Sequence, residues 1–277
     1  MEIERAFIDI SEGQAHYRYN VCEDPNQIPL VLLHMSPVAS EFLVPLMREF
    51  GQDRKLYAPD TLGNGDSPPL NLEKPEIPDF ADGLERILDG LKINNAHFYG
   101  VRTGAMIASE FAIKNPSRVK SLILDELMTK SPKEQSGSTG EKCPEVNFFG
   151  SQFLWAWHVM RDHAIYHPWW DRYSDNRISM DLHSPEILHS HTVELLKAIR
   201  TFHFSYNAAQ RWPRNGRISK INVPTMIPHD PSHEAFPDTR PTAKLINNAE
   251  VYDLPPGDVS PKAKAALIKK WIKKFNN

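Results

Sequence analysis

A tight turn between a strand and a helix holds the first candidate site. The segment HFYGVRTGAMIASEFA, residues 97–112, has a strand-like start, a turn with glycines at Gly100 and Gly104, and a helix-like end. The residue at the centre of this turn is Arg102. A guanidinium stays protonated at physiological pH and offers no lone pair, so Arg102 cannot act as a nucleophile. Beside a helix N-terminus it is suited to hold a carboxylate or phosphate. Thr103 carries a hydroxyl and is a candidate substrate contact, with a hydrogen bond at the helix N-terminus, away from the pocket, as the alternative.

A second group of polar candidates follows the apolar run IPLVLLHM, which is typical of a strand buried on both faces of a parallel sheet. His34 ends this run and is a candidate general base or hydrogen-bond donor, with a histidine bonded to the backbone as the alternative. Met35 and Ser36 come next as candidate substrate contacts. The Ser36 hydroxyl either bonds a ligand or stabilises the turn before Pro37.

The segment PHDPSHE places His229, Asp230 and His233 close together. These residue types bind metals, but they fall in a loop broken by proline and do not form two histidines one helical turn apart. The sequence therefore predicts neither a metal site nor a cofactor. We expect His229 or Asp230 to reach a pocket from the end of its strand, where open α/β sheets bind ligands.

An aromatic and histidine-rich stretch, FLWAWHVMRDHAIYHPWWDR, covers residues 153–172. The aromatic residues recur near helical spacing, which predicts a helix whose side chains mostly form the core of an inserted cap. The underside of such a cap would roof the pocket, so Trp157 is a candidate substrate contact and an apolar or flat ligand is favoured. Whether His158, His163 and His167 form a metal or pH-sensitive cluster stays open.

Strand and helix patterns alternate on both sides of this stretch. RAFIDISEGQAHYRYNV predicts a β-hairpin, strands are predicted at KLYAPD, AHFYGV and VKSLILDE, and the helical spacing of DFADGLERILDGLK begins at Asp79, a suitable N-cap. The pattern stops after residue 128 and resumes with INVPTMIPHD, AEVYDLPP and a lysine-rich last helix. We predict an α/β fold with a mostly parallel sheet and helices on both faces, formed by residues 1–128 and 215–277, and a helical cap over residues 129–214.

Composition limits the expected partners and compartment. The formal net charge is -3 over 277 residues, which gives no reason to expect nucleic acid as a partner. No stretch reaches the ~18 apolar residues of a membrane helix, and no signal peptide is expected. Cys22 and Cys143 match no metal or redox spacing, which favours a reduced, cytoplasmic compartment. The expected partner is a small molecule with an apolar or aromatic body, and Arg102 favours an anionic one. The oligomeric state stays open, a homodimer included.

The order of these motifs resembles the α/β-hydrolase superfamily. LVLLHMSP stands where that family has a strand and its oxyanion loop, YAPDTLGNGDSP is close to a recurrent turn, and YGVRTG matches the turn that displays the nucleophile. VPTMIPHD and LPPGDVSP stand where the family carries its acid and its catalytic histidine. The resemblance covers roughly residues 20–128 and 215–277. It implies the fold predicted above and a site built on a nucleophile, a histidine and an acid.

Position by position, the resemblance implies an altered triad. Arg102 stands at the nucleophile position, Asp258 at the histidine position, and Asp230 or, with a shifted turn, Ser232 at the acid position. If the fold holds, Arg102 faces Asp258. The two then form a structural ion pair between their loops, or Arg102 turns into the pocket as an anion anchor. Both alternatives stay open.

Three functions are compatible with these residues. The first is hydrolysis of a small apolar or aromatic ester- or lactone-like molecule by an activated water, with His34, His229 or Asp230 as the base and Arg102 as the anchor. The second is a cofactor-free lyase or decarboxylase, which needs a base and an anchor but no covalent nucleophile. The third is a non-catalytic binder. Fold analogy favours the first function, whereas the residues themselves favour the other two.

Overall fold

One sheet of eight strands organises the part of the chain that the computed structural model describes, which is residues 2–24, 26–127, 144–166, 169–177, 181–230 and 239–275. The strands are β1 (Ile3–Ile10), β2 (Gly13–Asn20), β3 (Leu30–Leu33), β4 (Leu56–Pro59), β5 (Ala96–Val101), β6 (Val119–Asp125), β7 (Thr225–His229) and β8 (Ala249–Asp253). Their order across the sheet is β1-β2-β4-β3-β5-β6-β7-β8. The pairs β1–β2 and β2–β4 are antiparallel and the others are parallel, which confirms the predicted α/β sheet and its N-terminal hairpin.

Helices cover both faces of this sheet. The α-helices of the described residues are α1 (Val44–Phe50), α2 (Ile77–Gly90), α3 (Thr103–Lys114), α4 (Ser151–His163), α5 (Pro185–Lys197), α6 (Phe202–Arg211), α7 (Arg214–Ile218), α8 (Thr239–Ala243) and α9 (Pro261–Ile272). Apolar side chains of α2 and α3 form the core on one face, and those of α1 and α9 form the core on the other. Because every residue of β3 and β5 is buried, these strands read as continuous apolar runs in the sequence.

The start of α2 differs from the sequence prediction in one detail. Asp79 is not the N-cap, since the helix begins two residues earlier and Glu76 is the cap. Asp79 lies at the third helical position, where its Oδ2 accepts a hydrogen bond from the Glu76 N–H at 2.8 Å. The two acidic residues thus form a reciprocal capping box, in which each side chain bonds the other residue's backbone.

Helices α4 to α7 lie between β6 and β7 in the chain, and we call them the cap. A separate apolar cluster joins the cap to the loop after β3; its buried members are Val38, Ala156, Val159, Met160, Trp169, Leu195, Ala198 and Phe202. Trp155 contacts the rings of Trp169 and Phe202 at centroid distances of 6.0 and 5.7 Å. The aromatic stretch of the sequence therefore supplies much of the contact within the cap.

A buried carboxylate ties the returning end of the cap to α3. Glu110 is almost fully buried, and its Oε1 accepts hydrogen bonds from Trp212 Nε1 and from Arg217 Nε, both at 2.6 Å. A second bond joins Arg217 Nη2 to Oε2 at 2.5 Å. A charged group inside a protein must be paired in this way, so this contact holds the segment after α6 against α3, the helix whose N-cap is Arg102.

The turn from β5 into α3 depends on two glycines. A Cβ added to Gly100 would lie 2.4 Å from the Gly104 carbonyl oxygen, and one added to Gly104 would lie 2.3 Å from the Leu33 carbonyl oxygen. Side chains at these positions would collide with backbone atoms. Between them Arg102 has φ 51° and ψ −112°, a conformation that non-glycine residues rarely adopt. The turn therefore places the start of α3 in contact with β3 and leaves residue 102 at the carboxyl ends of the parallel strands.

Asp60, directly after β4, connects three other parts of the fold. Its Oδ2 bonds His16 Nδ1 of β2 at 2.9 Å and accepts the Asp66 N–H at 3.0 Å, and its Oδ1 accepts the Ser40 N–H at 2.9 Å. Burial by itself would raise the pKa of Asp60. The hydrogen bond and charge of His16, with smaller contributions from His34 and Ser40, instead lower that pKa to about 2. The ionised carboxylate therefore stabilises the folded state.

We predict that Asp60→Asn lowers the free energy of unfolding by about 2 kcal/mol at pH 7, because the pKa falls from 3.8 to about 2 on folding and each unit is worth about 1.4 kcal/mol. A lowered pKa stabilises above the unfolded value, so this contribution is present above pH 4 and is lost as the pH falls towards 2. Urea unfolding from pH 7 to pH 2 measures it. Asp53→Asn, at an exposed aspartate, is the control, and equal pH profiles of the wild type and Asp60→Asn would contradict the prediction.

We also predict that Gly104→Ala destabilises the fold by about 3 kcal/mol, since its methyl group would meet the carbonyl oxygens of Leu33 and His34. Gly216→Ala is the matched control. Gly216 lies inside α7 with nothing within 4 Å of an added Cβ, so alanine there should be neutral or stabilising by up to about 1 kcal/mol. Thermal unfolding of the two variants gives the comparison. Equal stability of Gly104→Ala and the wild type would refute the close approach.

Candidate functional site

Arg102 is paired with Glu126, the residue that follows β6. Its Nε donates to Glu126 Oε2 at 2.6 Å, and the two side chains are 28% and 22% exposed. Glu126, like Arg102, has φ 51° although it is not glycine. The backbones also meet, because the Arg102 N–H donates to the Asp125 carbonyl oxygen at 3.0 Å. Of the two alternatives for Arg102, the ion pair with Asp258 is therefore wrong, and Glu126 takes the place of that acid.

A buried cation extends this pair towards the core. Lys264 of α9 bonds Asp125 Oδ2 through its Nζ at 2.7 Å and lies 3.6 Å from Glu126 Oε1. Burial alone would lower the pKa of Lys264, but the carboxylates of Asp125 and Glu126 raise it, so the ammonium stays charged. Tyr99 donates its hydroxyl to Asp125 at 2.6 Å, and burial together with Asp125 raises the pKa of this phenol well above its usual value. Two acids and two cations thus alternate beneath the turn between β5 and α3, which we call the elbow.

A cleft lies between the elbow, the loop after β3 and the underside of the cap. Its walls combine apolar side chains with Arg102 and three histidines; the lining residues are Met35, Ser36, Pro37, Val38, Arg102, Met160, His163, Ala164, His183 and His191. This mixture of an apolar wall and a few polar groups is typical of a small-molecule site. It also brings together residues from parts of the chain that are far apart in sequence.

The two histidines of the cleft near α5 are neutral at physiological pH. The rings of His183 and His191 meet edge to face with centroids 5.8 Å apart, and His191 also contacts Phe42. Burial, and then the positive charge of Arg102, lower the pKa of His183. Burial and His183 lower the pKa of His191 to about 4. A neutral imidazole has a free lone pair, so either ring can accept a proton.

Ser36 belongs to a hydrogen-bonded chain that fixes its loop. Its Oγ lies 2.6 Å from Ser205 Oγ of α6, and Ser205 Oγ donates to Asn64 Oδ1 at 2.8 Å. Because Ser205 has one proton, a bond to Asn64 leaves Ser36 as the donor to Ser205. The Ser36 hydroxyl thus lines the cleft with its proton already engaged, and the nearest hydroxyl partner is another serine rather than a base.

His34 is a structural residue, which corrects its candidacy as a general base. Its side chain is fully buried, Nε2 accepts the Thr61 N–H at 2.8 Å, and Nδ1 bonds the Met35 carbonyl oxygen at 2.9 Å. These partners fix the tautomer with the proton on Nδ1. Burial also lowers the pKa of His34, against a smaller opposing effect of Asp60. The alternative of a histidine bonded to the backbone is the one that the structure has.

The candidates near β7 and β8 lie apart from the cleft. Asp258 is exposed and its Oδ1 accepts the Ser260 N–H at 3.0 Å, so it neither pairs with Arg102 nor faces it as expected. Asp230 accepts the Gly257 N–H at 3.2 Å. His229 and Asp230 are half-buried and line a second cavity, which also includes Glu126 and Lys264. The Arg102–Glu126 pair therefore has one member in each cavity.

The remaining candidates are outside the walls of the cleft or outside the described residues. Thr103 is buried at the first position of α3, Trp157 is half-buried on α4, and neither lines the cleft. His158 is exposed, whereas His163 does line it. Four residues singled out in the sequence lie outside the described ranges: Cys143, His167, Ser232 and His233.

Over the described ranges, one group of three side chains is close enough to share a metal ion: His16, Asp60 and Asp66. It is already hydrogen-bonded internally, and Lys197 Nζ lies 2.8 Å from Asp66 Oδ2. An ammonium group thus contacts the one exposed carboxylate of the group. Over the same ranges, no helix has the length and apolar content needed to cross a membrane.

Sequence reasoning missed three residues that the structure places around Arg102. His183 and His191 lie outside the aromatic stretch, in HSPEILHSH. The one signal for them in the sequence is Ser184, a suitable N-cap, which indicates that a helix begins between the two histidines. Glu126 does have a signal in the sequence, because two acids, Asp125 and Glu126, end the segment VKSLILDE, whose strand pairs with β5. Acids at the carboxyl end of a neighbouring parallel strand are expected to meet the elbow.

Comparison with known proteins gives a partial match in sequence. Residues 28–144 match the family model of the α/β-hydrolase fold. A proline iminopeptidase of Heyndrickxia coagulans is 26% identical over 127 residues, which are 46% of this chain and 44% of that protein. An uncharacterised carboxylesterase, nap, of Bacillus subtilis is 31% identical over 116 residues, 42% of this chain and 38% of that protein. The aligned segments thus span less than half the length of these relatives.

The match in structure extends over the whole chain. A hydrolase from Pseudomonas aeruginosa PA01 superposes with a TM-score of 0.71 at 14% identity, covering 97% of this chain and 98% of that one. At this identity the likeness concerns the fold. The family match over the first part, the eight-stranded sheet and the elbow between β5 and α3 together show that the chain has the α/β-hydrolase fold.

Proposed function

We propose that the protein hydrolyses a small ester- or lactone-like molecule with an apolar or aromatic body, without a covalent intermediate on the elbow residue. One observation carries the proposal: Arg102 stands at the elbow and lines the same cleft as the neutral His183. The elbow residue cannot attack, but an anchor for negative charge and a proton acceptor are present together.

In this mechanism one residue transfers the proton and another stabilises the developing charge. A water molecule attacks the carbonyl carbon while His183 takes one of its protons, and Arg102 stabilises the negative charge that develops on the carbonyl oxygen. The bond from the carbonyl carbon to the leaving oxygen then breaks, and the imidazolium returns the proton to that oxygen. Water is consumed, His183 ends neutral, and an acid and an alcohol are formed.

The walls of the cleft support the substrate class. Met35, Pro37, Val38, Met160 and Ala164 line the cleft with apolar side chains beside its polar groups. An apolar wall favours a hydrocarbon or aromatic body by removing its surface from water. The relatives named as an iminopeptidase and a carboxylesterase add the class of reaction, cleavage of an acyl bond by water, which comes to this chain by similarity alone.

The same pair of groups supports a second candidate, a cofactor-free lyase or decarboxylase. Such an enzyme needs a base and an anion anchor, and Arg102 and His183 in one cleft fit that requirement as well. The masses of the products separate the two functions, because hydrolysis adds one water to the substrate and a lyase does not. A pocket that only binds would give no new product with either kind of substrate.

We predict that a serine-directed fluorophosphonate probe leaves the protein unlabelled, because the elbow carries a guanidinium and the Ser36 hydroxyl bonds another serine. Intact-mass spectrometry after incubation measures labelling, and a conventional serine esterase treated in parallel is the control. The same preparation is assayed with a panel of aryl esters and lactones, on which we expect turnover. A stoichiometric adduct on any serine would contradict the proposal.

We predict that His183→Gln lowers kcat/KM on the best substrate of that panel by about 10²–10⁴-fold, the usual contribution of a general base. His189→Gln is the matched control, because His189 lies exposed on α5 and should leave the rate unchanged. A base must be deprotonated, and the pKa of His183 is lowered, so the wild-type rate should hold at neutral pH and fall below the 6.5 of an ordinary histidine. An acid limb that survives in His183→Gln would exclude this residue.

A further inference from the structure

We infer that Glu126 is an internal occupant of the anion site: a carboxylate-bearing ligand displaces it from Arg102, and Lys264 keeps the released carboxylate. This inference rests on the proposed function, in that the ligand enters the cleft lined by Arg102. It adds a specificity-determining residue, Glu126, and a ligand class, small monocarboxylates with an aromatic or apolar body.

The geometry gives Glu126 two cations to choose between. Its Oε2 accepts the Arg102 Nε–H at 2.6 Å, and its Oε1 lies 3.6 Å from Lys264 Nζ. Lys264 is mostly buried and already bonds Asp125, so it does not leave when Glu126 moves. A carboxylate that gives up Arg102 therefore stays next to a fixed positive charge and is not left uncompensated.

The exchange exploits a contact that solvent can reach. Arg102 and Glu126 are both about one quarter exposed, and ion pairs in contact with water are weak because water screens and solvates each partner. A ligand carboxylate offers the same charge in the cleft, where its body also gains apolar contact. Arg102 lines that cleft, and its positive charge contributes to the lowered pKa of His183, which lines it too.

The backbone holds Arg102 and Glu126 in place independently of the ion pair between their side chains. Arg102 and Glu126 are both non-glycine residues with φ 51°, and the Arg102 N–H donates to the carbonyl oxygen of Asp125, the residue before Glu126. Close packing at Gly100 and Gly104 fixes the turn on the other side. Exchange of partners therefore requires side-chain rotation only, and Arg102 stays at the mouth of the cleft throughout.

Equilibrium binding of benzoate to the full-length protein, measured by isothermal titration calorimetry, tests the inference. Glu126→Gln removes the competing charge but keeps the shape, so benzoate should bind about tenfold more tightly than to the wild type, a difference of about 1.4 kcal/mol. Benzamide, the neutral isostere, should bind both proteins equally. Glu145→Gln, which removes an exposed carboxylate before α4, should leave benzoate affinity at the wild-type value.

A second measurement works on the unmodified protein. In ¹⁵N-labelled wild type, benzoate should shift the Nε–H resonance of Arg102, assigned by its loss in Arg102→Lys, while benzamide should not. Equal or weaker benzoate binding by Glu126→Gln, or an Arg102 resonance unmoved at saturating benzoate, would overturn the inference. Neither experiment needs turnover. If these binding results hold but no hydrolysis is found, only the proposed reaction is excluded. If turnover is found without these binding results, only the displacement of Glu126 by a carboxylate is excluded.

Discussion

The close backbone contact between the elbow and β3 is the constraint on which the site depends. Gly100 and Gly104 leave no room for a Cβ, so the first turn of α3 lies against the end of β3. The backbone of Arg102 takes a conformation that few non-glycine residues adopt. The energetic cost of that conformation is met by packing on both sides of it. In this fold the turn usually displays a nucleophile. Here the same backbone displays the guanidinium of Arg102 in place of a nucleophile, and the charged groups around it compensate that positive charge.

A cation at this position changes what the neighbouring groups must do. Glu126 supplies the counter-charge, Lys264 offsets the additional acid of Asp125, and His183 and His191, which line the same cleft as Arg102, remain neutral. An unpaired charge inside a protein is costly, so the two acids and the two cations offset one another. The site is therefore balanced in charge before a ligand enters it. An entering anion can bind Arg102 only by altering that balance.

The sequence was informative wherever the information is local. Strand and helix periods, the hairpin and the elbow glycines are properties of short segments, so the sheet and the position of Arg102 could be predicted from them. The partner of Arg102 could not, since Asp258 and Glu126 both end or follow strands at the same edge and only the packed structure decides between them. His34 shows the same limit: its neighbours Thr61 and Met35 satisfy both ring nitrogens, and the bond to Thr61 comes from a distant turn.

The buried Glu110 has a mechanical consequence for access to the cleft. It clamps Trp212 and Arg217, where the chain leaves the cap, onto the same helix whose first turn carries Arg102. One end of the cap is thus held on α3. Because Trp212 and Arg217 are fixed to that helix, any swing of α4 and α5 away from the sheet would leave this end of the cap in place beside the helix that carries the guanidinium at its N-terminus.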